Sequence, residues 1–441
     1  MAEFDSIMTY PETIAYLYEQ LPMFTRVGAA AYKEDLHNTI ALCDALGNPQ
    51  HSFKAIHVAG TNGKGSTSHM LAAILQESGY KTGLYTSPHI KEFGERIRIN
   101  GQMIDEDFVI RFVEKTKKIT AEIQPSFFEL TVAMAFQYFA EQQIDIAVIE
   151  TGLGGRLDST NIISPVLSVI TNIGYDHMNL LGNRLEEIAG QKAGIIKQNT
   201  PVVIGEVLPE TMKVFVKEAN EKESPLHFAQ SRFYTQYIEL TKGLLFCVVH
   251  DMLTNDAEKL RLDLNGLYQS KNICTVLMAV EVLRKLGFKI PEAKMHAALE
   301  DVKGLTGMRG RWDVIQNLPA IILDVAHNEA GINLVLLQLQ QQFAQSHIHF
   351  VLGFVKDKDV KNTLGLFPPN ASYYFTNAHI PRALPYAELM EIAAANGLQG
   401  EGHDDVNDAI AAAKAKAADN DVIMICGSFF IIGEIETPAK A

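Results

Sequence analysis

Ten consecutive residues, Val58-Ala59-Gly60-Thr61-Asn62-Gly63-Lys64-Gly65-Ser66-Thr67, combine glycines, a cation and hydroxyls at a spacing suited to phosphate chemistry. Glycines allow backbone N–H groups to point at phosphate oxygens, Lys64 supplies a point charge, and a helical stretch from Ser66 to Ser78 offers the positive end of its dipole. The lead-in Ala55-Ile56-His57-Val58 reads as a strand, which gives the strand, turn and helix order of an ATP site. Two positions depart from the common phosphate loop. Val58 stands six residues before the lysine where a glycine is expected, and Gly65 separates the lysine from the first hydroxyl. The competing reading is a Gly/Asn-rich turn that joins a strand to a helix and binds nothing.

Further reactive side chains fall at the ends of other apolar runs. Glu150 closes Ile144 to Ile149 and opens Thr151-Gly152-Leu153-Gly154-Gly155-Arg156-Leu157-Asp158. A carboxylate at the end of a strand parallel to the phosphate-loop strand is where a nucleotide-bound Mg²⁺ is held, whereas alone it could simply open a turn. Arg156 and Asp158 in this Gly-rich segment read as substrate contacts or as a surface pair. His177 follows the run Val166 to Ile173, and a lone histidine is more often a satisfied structural group than a ligand. Lys192 lies in Ala189-Gly190-Gln191-Lys192-Ala193-Gly194-Ile195-Ile196-Lys197, a stretch too poor in charge to be a solvated basic face.

These residues need a scaffold that brings several strand ends to one edge. Ala55 to Val58, Thr82 to Tyr85, Ile144 to Ile149, Val166 to Ile170 and Val202 to Ile204 read as buried strands, with helices at Asp105 to Ile123 and Phe128 to Gln142. Apolar strands alternating with helices imply a mostly parallel sheet covered on both faces, with ligands beyond the carboxyl ends of its strands. Short strands follow at Phe233 to Leu240 and Leu244 to Val249, then a helix carrying Leu277, Val280 and Leu283. After the Gly-rich basic segment Lys303 to Arg311, strand signals restart at Ile321 to Asp324, Ile348 to Leu352, Tyr373 to Thr376 and Val422 to Cys426. The expected class is therefore α/β: a phosphate-loop-containing parallel-sheet ATPase domain (1–302), a hinge linker (303–311) and a smaller Rossmann-like α/β domain (312–441). The Ala/Lys-rich patch Ala409 to Ala418 reads as an exposed helix.

Composition narrows the partners. The chain has 441 residues, 47% of them hydrophobic, which is ample for two cores. Acidic residues (52) outnumber basic ones (38), so no wide basic surface for nucleic acid is expected and anionic ligands must be met locally. Cys43, Cys247, Cys274 and Cys426 are widely spaced and read as reduced core residues. With no secretory signal and no apolar run of membrane-spanning length, a cytoplasmic protein is expected.

Taken together, several motifs resemble folylpolyglutamate synthase and dihydrofolate synthase, ATP-dependent amide ligases of the Mur ligase superfamily. They are Gly60 to Ser66, Thr86-Ser87-Pro88-His89, Phe128-Glu129, Glu150 to Asn161, Asp176-His177 and Lys192-Ala193-Gly194-Ile195. The likeness continues through Gly310-Arg311-Trp312, Asp324-Val325-Ala326-His327-Asn328, Gly353 with Asp357-Lys358-Asp359, and Gly427-Ser428-Phe429, so it covers nearly the whole chain. Tyr268-Gln269-Ser270-Lys271-Asn272 departs from the family's His-Gln-x-x-Asn at its first residue, and Val325 replaces a glycine.

The resemblance implies roles. ATP would be held by Gly60, Thr61, Asn62, Gly63, Lys64, Gly65, Ser66 and Thr67, with Asn272, Arg311, Asp324 and His327. Ser87 and Glu150 would ligate one Mg²⁺ and His177 a second, with room for a monovalent cation. Lys192 would match a lysine that is carbamylated in the superfamily, and Lys64, Lys192 and His177 form the catalytic set. Phe128, Arg156 and Asp158 would meet substrate. The implied reaction adds L-glutamate to dihydropteroate, to the γ-carboxylate of reduced folates, or to both, through an acyl phosphate shielded by a hinged second domain. The implied chain is a monomer that acts on small molecules, with no nucleic acid or membrane partner. A cell-wall precursor ligase of the Mur type is the nearest alternative; a nucleotide-driven switch lacks a use for the Gly-Arg linker and the Asp-x-Ala-His-Asn motif.

Overall fold

The computed structural model describes residues 8–23, 28, 35–241 and 243–436. The chain divides into two compact units. The first comprises Met1–Glu239, Phe246–Asp263 and Ser270–Gly307, and the second Leu240–Leu245, Leu264–Gln269 and Met308–Ala441.

The first unit is built on eight strands: β1 (Lys54–Ala59), β2 (Thr82–Tyr85), β3 (Ile97–Ile99), β4 (Gln102–Met103), β5 (Ile146–Glu150), β6 (Leu167–Ile170), β7 (Val202–Ile204) and β8 (Leu226–Phe228). They lie in the order β4-β3-β2-β5-β1-β6-β7-β8. From β2 to β8 every pairing is parallel, and β3 and β4 add an antiparallel edge. All of β2, β5, β6 and β7 is buried, as expected of central parallel strands that read as unbroken apolar runs.

Helix signals explain the connections. Helix Glu106–Ile123 follows Asp105, carries Glu106 and Asp107 in its first turn, and buries Phe108, Val109, Phe112 and Val113, a repeat of one helical face. Helix Phe127–Glu141 begins in a capping box: Ser126 Oγ accepts from Glu129 N (3.2 Å) and Glu129 Oε2 accepts from Ser126 N (2.6 Å). It is buried around most of its circumference and with Tyr85, Phe93 and Phe108 forms the main core of this unit. Strands β9 (Phe233–Thr241), β10 (Leu244–Asp251) and β11 (Ala257–Leu262) form a separate three-stranded sheet.

The second unit has its own sheet of β12 (Asp313–Asn317), β13 (Ala320–Leu323), β14 (Ile348–Leu352), β15 (Ser372–Phe375), β16 (Gly400–Gly402) and β17 (Val422–Cys426), ordered β12-β13-β17-β14-β15-β16. Only β12 pairs antiparallel. Its core gathers Trp312, Ile322, Phe350, Leu352, Phe375 and Met424.

Two local expectations change. The Ala/Lys-rich patch is helix Val406–Lys416, and it is amphipathic rather than simply exposed, because Val406, Ala409, Ile410 and Ala413 are buried. The linker expected at 303–311 begins inside a helix, Val302–Thr306, whose Thr306 is buried and lies 2.8 Å from His69 Nδ1 through its hydroxyl. The change of unit falls between Gly307 and Met308. All four cysteines are free and buried. Among the described residues, no helix is long and apolar enough to cross a membrane.

The sequence has a single tryptophan, Trp312, fully buried in the second core, while Phe136 is fully buried in the first. Phe136→Ala should cost about 3–5 kcal/mol. In urea titrations the far-ultraviolet dichroism transition should move to lower denaturant.

Candidate functional site

The loop after β1 is shaped by where the strand ends. β1 continues through Ala59, and Val58 is a fully buried strand residue in register with Glu150 of β5 and Val169 of β6. The glycine expected at position 58 is therefore replaced by the next turn residue able to adopt positive φ, Gly60 at +150°. A Cβ on Gly60 would lie 1.9 Å from Thr171 Oγ1, and one on Gly63 2.4 Å from Asn272 Oδ1, so both positions demand glycine. Gly63, at φ +81°, precedes helix Lys64–Glu77, and Lys64 is the first residue of that helix.

The loop's own carbonyls are tied from all sides. Lys64 Nζ donates to Gly60 O (3.1 Å) and Thr61 O (3.2 Å), Lys192 Nζ donates to Gly60 O (2.8 Å), and Thr171 Oγ1 donates to Asn62 O (2.6 Å). Asn172 accepts from Thr61 N through its backbone (3.0 Å) and from Asn62 N through its side chain (2.9 Å). Thr61 Oγ1 donates to Gly174 O (3.1 Å). Thr171, Asn172 and Gly174 immediately follow β6, and sequence reasoning missed their part; the signal was their place at a parallel strand's end. Ser66 and Thr67 are buried in the first turns of the helix; Thr67 N donates to Gly63 O, and the buried Thr67 hydroxyl has no hydrogen-bond partner among the described residues.

Glu150 is buried at the end of β5, and its Oε2 accepts from Ser87 N (3.2 Å). Asp176 and His177 lie beyond β6; His177 has left-handed φ (+49°), and its N–H donates to Asp176 Oδ1 (2.9 Å). Lys192 is buried at the end of helix Leu185–Ala193. Burial and the nearby Lys64 charge push its amine down to about 7, against the pull of Asp176 and Asp158.

Phe128 packs at the start of the Gly152 loop, where a Cβ on Gly152 would lie 2.5 Å from its ring, and Arg156 is exposed. Asp158, expected at the substrate, is bound within its own loop. Its buried carboxylate accepts from Leu153 N (2.8 Å), Thr160 N (3.0 Å) and Thr160 Oγ1 (2.5 Å), and so closes its own loop. Nearby in the same unit, Arg96 Nε donates to His89 Nδ1 (2.7 Å) and the guanidinium lies over Phe127 (5.2 Å). Burial and Arg96 hold His89 neutral, pushed down to about 3.

In the second unit, Arg311 lies over the Phe429 ring (5.1 Å) and the His327 ring sits 5.8 Å from the same ring. Asp324, expected at the nucleotide, is buried and hydrogen-bonded within the unit. Tyr268 Oη donates to its Oδ2 (2.7 Å), as does Trp312 N (2.9 Å), and Ala326 N donates to Oδ1 (2.8 Å). Trp312 has left-handed φ (+51°), a strained state for a bulky residue, so Asp324 fixes the turn that carries Arg311. Tyr268, the residue that departs from the family pattern, is thereby explained as the donor that anchors Asp324.

A parallel α/β sheet with a phosphate loop, a buried carboxylate at the neighbouring strand end and a second α/β unit define a nucleotide-dependent ligase. The chain matches the Mur ligase middle domain over residues 58–280 and the Mur ligase glutamate ligase domain over 310–429. It is 34% identical to the dihydrofolate synthase/folylpolyglutamate synthase of Bacillus subtilis (strain 168), across 98% of this chain and 99% of that one. It is 32% identical to the folylpolyglutamate synthase of Lacticaseibacillus casei, across 97% and 98%. Mycobacterium tuberculosis folylpolyglutamate synthase complexed with ADP and AMPPCP superposes with a TM-score of 0.86 at 29% identity, covering 96% of this chain and 98% of that one. Escherichia coli FolC in complex with DHPP and ADP superposes with a TM-score of 0.82 at 27% identity, over 97% and 96%. The chain belongs to the folylpolyglutamate synthase/dihydrofolate synthase family.

Gly63→Ala tests the loop geometry directly. It should abolish nucleotide binding in calorimetric titrations, because the new methyl group must displace Asn272 and adopt a disfavoured φ at once.

Proposed function

We propose that this chain is an ATP-dependent amide ligase that joins L-glutamate to dihydropteroate, to a reduced folate, or to both. The observation that carries this reading is the placement of the phosphate loop and the buried Glu150 on neighbouring parallel strands, with Val58 and Glu150 in register. The named relatives and their nucleotide complexes support the substrate class.

Joining a carboxylate to an amine in water is uphill and slow because oxide is a poor leaving group. In the proposed reaction the acceptor carboxylate attacks the γ-phosphorus of ATP, giving an acyl phosphate and ADP. The amine of glutamate then attacks the acyl carbon, the C–N bond forms, phosphate leaves and the amine gives up a proton. The first step presses an anion against a polyanion, and two unit charges about 4 Å apart repel by about 4 kcal/mol at an effective dielectric near 20. Lys64 and the positive end of the helix it opens offset part of this repulsion. Arg311 and His327 are assigned in this proposal to the nucleotide, and Arg156 to the acceptor substrate.

Glu150 and Ser87 offer hard oxygen donors and sit side by side, which fits Mg²⁺; His177 is assigned to a second ion. Mg²⁺ held there would neutralise phosphate charge and align the γ-phosphoryl group. In the 303–311 segment the proposed hinge is confined to Gly307–Gly310, since Val302–Thr306 is helical and both flanking glycines have positive φ.

The deciding assay is ADP release that requires both glutamate and dihydropteroate or a reduced folate, with the product gaining one glutamyl residue by mass. Lys64→Ala should lose ADP release and product together, by at least about 100-fold. Release of ADP without either acceptor would point to a simple ATPase, and glutamylation of a cell-wall precursor would move the chain to the Mur-type alternative.

For Lys192 we propose carbamylation, supported by an amine held near neutrality in a buried site. Carbamate forms from the unprotonated amine, so it should accumulate as pH rises through about 7. With ¹³C-bicarbonate a carbamate resonance should appear in the wild-type protein and be missing in Lys192→Arg.

A further inference from the structure

The segment 152–161 leaves β5 directly after Glu150 and carries Arg156, yet it contains no regular element except the short turn Ser159–Ile162. Its shape depends on a chain of buried hydrogen bonds that begins on a different strand. Burial raises the Asp158 carboxyl above its ordinary value, but the N–H donors of Leu153 and Thr160 that point at it favour the ionised form, which can only accept, so Thr160 Oγ1 at 2.5 Å donates its single proton to it. The same hydroxyl lies 2.8 Å from His57 Nε2. Having no second proton, Thr160 can only accept there, and His57 must be the donor. The imidazole is therefore the Nε2–H form, with Nδ1 bare; Nδ1 is buried and has no hydrogen-bond partner among the described residues.

His57 is fully buried in the middle of β1, three residues before Gly60. Burial and the charge of Lys197 push its imidazole down to about 3, so it stays neutral wherever the protein works. A residue placed here only to fill space would carry no orphaned ring nitrogen, since burying a polar group without a partner costs free energy. The far flank of the segment is held separately: Asn161 Nδ2 donates to Arg156 O and Gly194 O, both at 3.0 Å, and Lys197 Nζ donates to Asn161 O (2.9 Å).

We propose that His57 is a positioning residue for the ligase site: through the Thr160 hydroxyl and the Asp158 carboxylate it couples the strand that carries the phosphate loop to the Gly152–Asp158 loop that carries Arg156. The inference rests on the reading of that loop as facing the acceptor substrate. Its effect should accordingly fall on the acceptor and spare the nucleotide.

Two substitutions at the middle of the relay separate positioning from packing. Thr160→Val keeps the shape and removes the hydroxyl, whereas Thr160→Ser keeps the hydroxyl. Losing one buried hydrogen bond should raise KM for the acceptor about tenfold in Thr160→Val, with recovery to within about twofold in Thr160→Ser and nucleotide Kd unchanged in both. Equal acceptor KM values in the two variants would overturn the proposal. Independently of activity, ¹⁵N spectra of histidine-labelled wild-type protein, with His57 assigned by the signal lost in His57→Gln, should show a proton on Nε2 and a bare Nδ1 at neutral pH. A proton on Nδ1, or an imidazolium, would refute the relay even if Thr160→Val failed to fold. Wild-type protein that shows the expected tautomer but turns over no folate substrate would instead contradict the assigned function.

Discussion

A peptide loop can bind an anion only if its carbonyl oxygens are turned away and occupied, because each amide it offers comes attached to a dipole of the opposite sense. In this protein that constraint is met by side chains from three places. Thr171 from beyond β6, Lys192 from the helix ahead of β7 and Lys64 from the loop's own helix take the carbonyls of Gly60, Thr61 and Asn62. The parallel order β5-β1-β6 follows from the same need, since only neighbouring strands running the same way deliver their ends to one edge. The two tight glycines are a second consequence, for Thr171 and Asn272 approach so closely that no side chain fits.

Much of the scaffold was legible in the sequence. Thr82–Tyr85, Val202–Ile204, Ile348–Leu352 and Val422–Cys426 are strands with the expected limits, because central parallel strands are short apolar runs bounded by polar turns. The phosphate loop was legible for the same local reason: its glycines and lysine are adjacent in the chain. What could not be read was which partner each polar group takes. Asp158 and Asp324 sit in motifs that suggest ligand contact, yet both are buried acceptors, and their donors at Thr160, Tyr268 and Trp312 are recognisable only once the chain has folded. Position 58 misled for a different reason, since a pattern that counts residues back from the lysine cannot tell where the strand ends.

In the second unit, a residue that departs from the family pattern takes part in a buried hydrogen-bond network. Tyr268 stands where the family carries histidine, and its phenol reaches the Asp324 carboxylate. The aspartate in turn holds the backbone of Trp312 in a conformation that bulky residues avoid, next to Arg311. Gly266 belongs to the same arrangement, because a Cβ there would lie 2.3 Å from the Tyr268 ring. Tyr268 is thus one of three donors, with Trp312 N and Ala326 N, that hold the Asp324 carboxylate.

The four cysteines, scattered through both units, have a practical meaning. Each is buried, and burial pushes each thiol well above its ordinary range, so none offers an accessible thiolate at neutral pH. The chain is in effect a thiol-silent background. A single cysteine introduced at an exposed position of either unit would be its sole reactive handle, and a pair, one per unit, would carry spectroscopic labels without any native residue having to be removed.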